Sequence, residues 1–439
     1  MYHERVLSSQ LAEHVGKAVV VAGWLHNKRE MGGMTFFVIR DRRGLTQVLV
    51  EAAQEASKLK GLQNGTIVRV TGVVVEDKRA PHGVEIHDPK ITVDVPVTYT
   101  APIEVDKPIN HKPENLDTLF EHKVLTMRNV TERGIYKIQA GIGDHIRDFL
   151  RSRDFVEFHS PKLLAEATEG GAEVFTLDYF GRQATLAQSA QFYKQMMVAS
   201  LERIFEIGST YRAEPSVTTR HMTEFITVDG EMGFIEGVED IMDLLSDLMN
   251  YVAHHIWETH RIELEALGAK KPLLTKKLPT ISLKELHELY FKEIGEDTRE
   301  EKDPTPAEER FICEYSAKHW KSDAVYVTEF PAKYMKFYHY QSEKNPEVAE
   351  RADLLFRGVE IVTLSRREHR YEKIIAQLKA MGGSPDHPGY KYFLQAFQYG
   401  MPSEGGFGMG LERLTAQMIG FKNAKEATLF PRDTKRLVP

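Results

Sequence analysis

Cysteine is almost absent from this chain: Cys313 is the only one in 439 residues. A single thiol excludes an internal disulfide and a cysteine-built zinc site, and it is the usage expected of a reducing cytoplasm. Cys313 itself reads as a small core residue. Long apolar runs are also lacking, so no stretch is a candidate bilayer span. The opening residues MYHERVLSSQ carry no apolar signal core, which sets the expectation of a cytoplasmic protein. There are no internal repeats and no low-complexity tracts. What is present is the composition of a soluble globular protein, 42% hydrophobic and 28% charged, in a chain long enough for two or three domains.

An excess of positive charge is missing too. The net charge is -7, which by itself speaks against a nucleic-acid partner. The charge is uneven, however. Residues 1–100 hold 13 Lys/Arg against 11 Asp/Glu, so the deficit lies entirely in the remainder. A near-neutral N-terminal module on an acidic body leaves room for local basic contacts.

Residues 16–100 read as short β-rich runs around Val19–Val21, Phe36–Ile39, Gln47–Val50, Thr66–Val75 and Val84–Ile86. Turn signals at Gly32-Gly33, Asn64-Gly65 and Pro81–Gly83 divide them. Five strands in so short a span suit a small closed barrel of the OB type. Residues 101–132 carry Pro102, Pro108 and Pro113 in a polar stretch and read as a linker or hinge. From 134, Ile135, Ile138, Ile142, Ile146 and Phe149 recur at helical spacing, and a short strand at 155–158 closes on Pro161. Helices mix with mostly antiparallel strands to the end of the chain, and a glycine-rich turn at 405–410 leads into a final helix. The class expected is α+β, with domains at 1–100 and 133–439 joined by 101–132. Residues 266–322, charged and helical with no evident chemistry, read as an insertion.

Four stretches carry chemistry. Gly405–Leu414 reads GGFGMGLERL. Glycines admit a ligand close to backbone amides, and Arg413 adds a charged fork for a phosphate. No Gly-Lys-Ser/Thr follows, so this is not a Walker loop. In Ile204–Glu214 and Arg220–Phe225, a strand, a basic loop and a returning strand bring Arg212, Arg220 and His221 over one sheet face. That grouping suits a polyphosphate, with Phe225 available to stack on a base. Asp353 and Glu360, with Thr363 and Arg367 following, suit Mg²⁺ shared with phosphate oxygens. Glu169, Lys194 and Arg367 together suit a small acidic amino acid, one carboxylate for the ammonium and two cations for the side chain. Each stretch alone also reads as ordinary packing glycines or solvated ion pairs. His254, His255 and His260 lie in one helical run, but His255 and His260 are five apart, which is not a zinc-pair spacing.

Taken together these stretches resemble the class II aminoacyl-tRNA synthetases. The helix–strand–Pro161 segment resembles their first motif, Tyr211-Arg212-Ala213-Glu214 their second, and GFGMGLERL their third. Closer still, the chain resembles the archaeal-type aspartyl-tRNA synthetases from end to end, through IRDRRG, TEGG, TTRH, RGVEI, REHR, GMP and LFPRD. The resemblance implies ATP-dependent activation of aspartate, Mg²⁺, a homodimer and an anticodon-reading barrel. It implies aspartate contacts at Glu169, Gln191, Lys194, Arg212, Thr363 and Arg367. On the ATP side it implies Arg212 at the α-phosphate, Arg220, His221 and Arg413 at the tail and Phe225 at the base. Glu214, Met222, Glu360, Gly410, Leu411 and Glu412 complete that set. Asp353, Glu360 and Thr363 match the metal-holding positions, and Phe36 and Gln47 the anticodon contacts.

The chain departs from the family pattern at Val362–Arg366, where two glycines give way to Leu364 and Ser365, and at Ala190, where proline is usual. Family members that discriminate among tRNAs are similar to one another in carrying Trp and Lys at two barrel positions. Here His26 and Pro81 stand there, as in relaxed members. The expectation is a non-discriminating enzyme serving tRNA(Asp) and tRNA(Asn). The alternatives are an enzyme charging tRNA(Asp) only, a non-tRNA enzyme on the same core, and a paralogue altered in catalysis.

Overall fold

The computed structural model describes residues 4–165, 173–216 and 218–439. They form two compact units. One reaches to Asn115 and includes 122–133; the other holds 116–121 and 134–439.

In the first unit, alternation of apolar and polar residues builds five strands: β1 (Ala18–Met31), β2 (Met34–Arg40), β3 (Leu45–Val50), β4 (Ile67–Glu76) and β5 (Val84–Val95). They close in the order β1-β2-β3-β5-β4, because β1 pairs with β2 along one edge and with β4 along the other. Every second residue points inward, so Phe37, Ile39, Val48, Val50, Val68 and Val70 fill the interior. Closure needs tight bends. At Gly72 a Cβ would stand 2.5 Å from the His87 carbonyl oxygen, where the β4–β5 register shifts. β1 runs well past Val21. Its polar end, Asn27–Met31, is held by pairing with β2 rather than by burial. The barrel is the one expected from the sequence.

The stretch read as a linker is partly helical, over Pro113–Glu121 and Lys123–Thr126. Leu116, Leu119 and Phe120 are buried at i, i+3 and i+4, a short period that the surrounding prolines concealed.

The second unit is built on further strands: β6 (Val156–Glu157), β7 (Leu163–Leu164), β8 (Thr176–Tyr179), β9 (Arg182–Leu186), β10 (Arg203–Tyr211), β11 (Glu224–Gly233), β12 (Thr280–Ser282), β13 (Ala324–Thr328), β14 (Arg351–Phe356), β15 (Val359–Arg367) and β16 (Glu404–Gly410). Eight form one sheet in the order β12-β13-β14-β15-β16-β11-β10-β6, and β7-β9-β8 form a small second sheet. All pairings in the large sheet are antiparallel except β12 with β13 and β10 with β6. The unit is α+β, as expected.

One face of the sheet is apolar. Val228, Val362, Leu364, Phe407 and Met409 pack with Ile135–Phe149 of the helix Val130–Arg151, with Ile241–Ile256 of the helix Val238–Thr259, and with the helix Leu411–Ile419. The other face is polar over its centre. Segment 405–410 is not a turn but most of β16, a central strand between β15 and β11. Glycine weakens an isolated strand, but neighbours on both edges supply the ladder here.

The region 266–322 belongs to the sheet. It supplies β12, and the helices Leu283–Ile294 and Pro306–Tyr315 pack Leu286, Ile312 and Cys313 against Val325, Val327 and Leu355. Among the described residues no helix is long and apolar enough to cross a membrane.

Candidate functional site

The polar face of the large sheet carries three rows of residues running across the strands. Asp229, Gly408, Thr363 and Asp353 lie side by side; so do Glu231, Gly406, Ser365 and Arg351; Gly233, Glu404 and Arg367 form the third. Their period of two along β11, β14, β15 and β16 puts them all on one surface. A cavity of about 400 Å³ opens over it. Gln191 and Lys194 line one side, with Arg212, Arg220, His221, Phe225, Glu360 and Arg413 beyond.

Lys194, on the helix Gln191–Leu201, is buried. Its Nζ donates to the Phe407 carbonyl oxygen at 2.8 Å, and lies 3.2 Å from Asp229 Oδ1 and 3.3 Å from Glu231 Oε2. Arg367 Nε donates to Glu231 Oε1 at 2.9 Å, and another of its guanidinium nitrogens donates to Ser365 Oγ. One carboxylate thus holds two cations at the cavity floor. Such a pair can take a substrate carboxylate, while Asp229 suits an ammonium. Gln191 passes a hydrogen bond to Gln195 Oε1 and Gln195 another to Glu404 Oε1, both at 2.9 Å. Glu169 lies outside the described residues.

The departure at Leu364-Ser365 is resolved by alternation. Leu364 points into the apolar core, away from the cavity. Ser365 faces the polar side and braces Arg367. Only the second change touches the site. Ala190, also buried, precedes the helix that carries Lys194.

At the other end Arg212 follows β10. Its amide donates to the Thr223 carbonyl, and its guanidinium lies 5.6 Å from the Phe225 ring centre. Arg220 forks onto Glu309 at 2.9 Å, and His221 Nδ1 lies 2.9 Å from Thr218 Oγ1. Burial, and then Arg413 and Arg220, lower the His221 pKa. Met222 is buried and takes a hydrogen bond from Thr428, and Glu214 lines the cavity. Gly410 ends β16 and caps the helix Leu411–Ile419. Glu412 accepts the Ile226 amide with both oxygens, and burial pushes its carboxyl up to about 7. Arg413 donates to the carbonyl oxygens of Glu360 at 3.0 Å and Arg220 at 3.4 Å.

Asp353 is held by Arg351 at 2.8 Å, and Thr363 donates to Glu360 at 3.1 Å. Burial raises the Asp353 carboxyl to about 7 despite Arg351, with Glu360 adding like charge, whereas Arg413 draws Glu360 below its usual value. The buried Asp353 carboxylate, the half-buried Glu360 carboxylate and the Thr363 hydroxyl, with the Arg413 guanidinium beside them, are a donor set that fits Mg²⁺.

The sequence reading missed Asp229, Glu231, Glu309 and Glu404. A signal existed for the first two: they alternate with apolar residues in a buried strand. Glu309 sits in the region read as an insertion without chemistry, yet it holds Arg220. His254, His255 and Glu258 bring three ligand atoms within 4.8 Å of one another, on a helix that lines no part of the cavity.

On the barrel, Phe36 and Gln47 are brought together by Arg29, whose guanidinium lies 5.4 Å from the Phe36 ring and bonds Gln47 Oε1 at 3.5 Å. Gln47 in turn donates to Glu85 at 2.7 Å. His26 sits elsewhere, at the β1 bulge, lining a recess with Arg40 and Arg128. Pro81 opens a turn whose His82 packs on Gly44.

Residues 115–434 match the family model for tRNA synthetases class II (D, K and N), and residues 19–94 match an OB-fold nucleic acid binding domain. The chain is 37% identical to the aspartate--tRNA(Asp/Asn) ligase of Thermus thermophilus, covering 99% of this chain and 100% of that one. It is 36% identical to the aspartate--tRNA(Asp) ligase of Pyrococcus horikoshii, covering 98% and 99%. Among solved structures, asparaginyl-tRNA synthetase from Pyrococcus horikoshii with asparaginyl-adenylate superposes at a TM-score of 0.90, with 29% identity over 99% and 100% of the two chains. With a barrel of the anticodon-binding kind and a cation-floored cavity on an antiparallel sheet, this chain belongs to the class II tRNA synthetases.

Proposed function

We propose that the protein is an aspartate--tRNA ligase that charges both tRNA(Asp) and tRNA(Asn), acting in two steps within one cavity. The observation that carries the amino-acid choice is the pairing of Lys194 and Arg367 on Glu231. Two buried guanidinium and ammonium groups converge where a side-chain carboxylate would sit, and a neutral amide would leave them under-satisfied.

In the first step a carboxylate oxygen of aspartate attacks the α-phosphorus of ATP. The bond to the bridging oxygen breaks, and pyrophosphate leaves with its electron pair. No side chain need be a nucleophile. Arg212 neutralises charge developing on the α-phosphate, Arg220, His221 and Arg413 hold the tail, and Phe225 takes the adenine face. Asp353, Glu360 and Thr363 would hold Mg²⁺, which supplies charge neutralisation on the phosphate oxygens. In the second step the terminal ribose hydroxyl of tRNA attacks the adenylate carbonyl, and AMP leaves.

The relaxed tRNA choice rests on His26 and Pro81 and is in keeping with relatives named for both tRNAs; relatives named for tRNA(Asp) alone mark the competing reading. Phe36 and Gln47 are read as the anticodon contacts, by stacking and edge hydrogen bonding. The assignment extends to a cytoplasmic homodimer, with 1–100 as the anticodon domain and 133–439 as the catalytic domain. Aspartate-dependent ATP–pyrophosphate exchange, followed by charging of purified tRNA(Asp) and tRNA(Asn) side by side, tests the reading. Absence of exchange refutes the activity; aspartylation of tRNA(Asp) alone refutes the relaxed choice.

A further inference from the structure

Glu404 is fully buried on the polar face of β16, yet among the described residues no cation hydrogen-bonds to it. Its Oε1 accepts from Gln195 at 2.9 Å, and its Oε2 has no hydrogen-bond partner among the described residues. The charged groups that act on it are Glu231 from β11, Arg367 from β15 and Lys194 from the helix Gln191–Leu201. The two cations are already engaged by Glu231, through Oε1 for Arg367 and Oε2 for Lys194. A buried carboxylate with one amide donor and a like charge nearby is an expensive species, and the inexpensive alternative is the acid.

We infer that Glu404 is a positioning residue that keeps its carboxyl protonated, so that Lys194 and Arg367 answer only Asp229 and Glu231 and stay available to the carboxylate of the substrate. This rests on the reading that the substrate is aspartate. With Glu404 neutral, two buried cations face two buried carboxylates, and an anionic side chain enters a floor that is balanced in charge. With Glu404 ionised the floor carries a net negative charge and repels that side chain. Burial and Glu231 both hold the Glu404 carboxyl well above the usual carboxylate range, in keeping with the neutral form near pH 7. Glu404 is not among the residues that line the cavity. It acts through Arg367, Lys194 and the Gln195–Gln191 amide chain.

The test has two arms on the full-length protein, wild type and E404Q, whose amide is the closest stand-in for the protonated acid. In the first, the wild-type-minus-E404Q infrared difference spectrum at pH 7, in which the bands of Asp353 and Glu412 cancel, should contain the carbonyl stretch of a protonated carboxylic acid. In the second, the KM for aspartate in pyrophosphate exchange should rise roughly tenfold as pH climbs far enough to ionise Glu404, with no matching step in the KM for ATP. In E404Q the KM for aspartate should no longer follow pH. Absence of the infrared band, or the same pH slope in E404Q as in wild type, overturns the proposal. If aspartate supports no exchange at all, the substrate reading fails, and the infrared arm still decides whether Glu404 holds a proton.

Discussion

The carboxylate of Glu231 lies directly over Gly406. A Cβ added at 406 would come 2.1 Å from Glu231 Oε2 and 2.2 Å from the Gly230 carbonyl oxygen. The absence of a side chain on β16 is therefore what lets one acid reach both Lys194 and Arg367. Gly406→Ala should displace Glu231, loosen both cations and raise the KM for aspartate more than that for ATP. Pyrophosphate exchange with each substrate varied in turn reads the split; equal changes in the two would show that the glycine serves only packing.

Lys194 is a buried cation between two buried acids. On the proposed aspartate reading, Lys194→Met removes a charge-assisted contact to the substrate and should raise the KM for aspartate roughly 10–100-fold. It also leaves Asp229 without a cationic partner, at a cost of about 3 kcal/mol in stability. Thermal unfolding beside the kinetics separates these effects.

Arg220 owes its position to Glu309 on the helix Pro306–Tyr315. Glu309→Gln weakens that pairing without opening a hole. The KM for ATP should rise roughly 3–10-fold with kcat changed less. An unchanged KM for ATP would make the contact structural only.

Glu412 provides a stability test with a definite sign. Its carboxyl is raised from 4.5 to about 7 in the folded protein, chiefly by burial. The folded state therefore favours the protonated form. The stability that form contributes is present in full below the unfolded value and fades as pH rises through about 7. Glu412→Gln lacks this titration. The melting temperature of the variant relative to wild type should thus improve between pH 5 and pH 8; a gap that is constant with pH would refute the assignment.

Cys313 is buried, and burial pushes its thiol up to about 12. The native protein should be inert to thiol reagents, because the thiolate is the reactive form. One thiol should titrate after denaturation. Rapid labelling of the folded protein would contradict its place in the core.

Much of this was legible in the sequence, for identifiable reasons. The barrel strands announced themselves by alternation, since each buries one face, and the helix bearing Ile135–Phe149 by its period. The arginines and Glu360 stood out because phosphate chemistry restricts residue type, and they line one cavity. Other features were hidden. β16 looked like a turn because glycine carries no pattern, and only its neighbours show that it is a strand. The helix Pro113–Glu121 was masked by prolines. Glu309 drew no notice because a lone acid in a charged helix looks solvated until tertiary packing buries it. Glu404 has no such signal, because a buried acid beside glycines acquires meaning only from what stands opposite it, whereas Glu231 was marked only by its alternation in β11.

The glycine strip of β16 also bears on how such a protein changes over generations. A floor made of bare backbone offers no side chain to exchange, and adding one collides with the groups above it. Drift in amino-acid preference has to come from the side chains standing around that strip, at positions such as 191, 194, 365 and 367, while the bare backbone among them stays fixed.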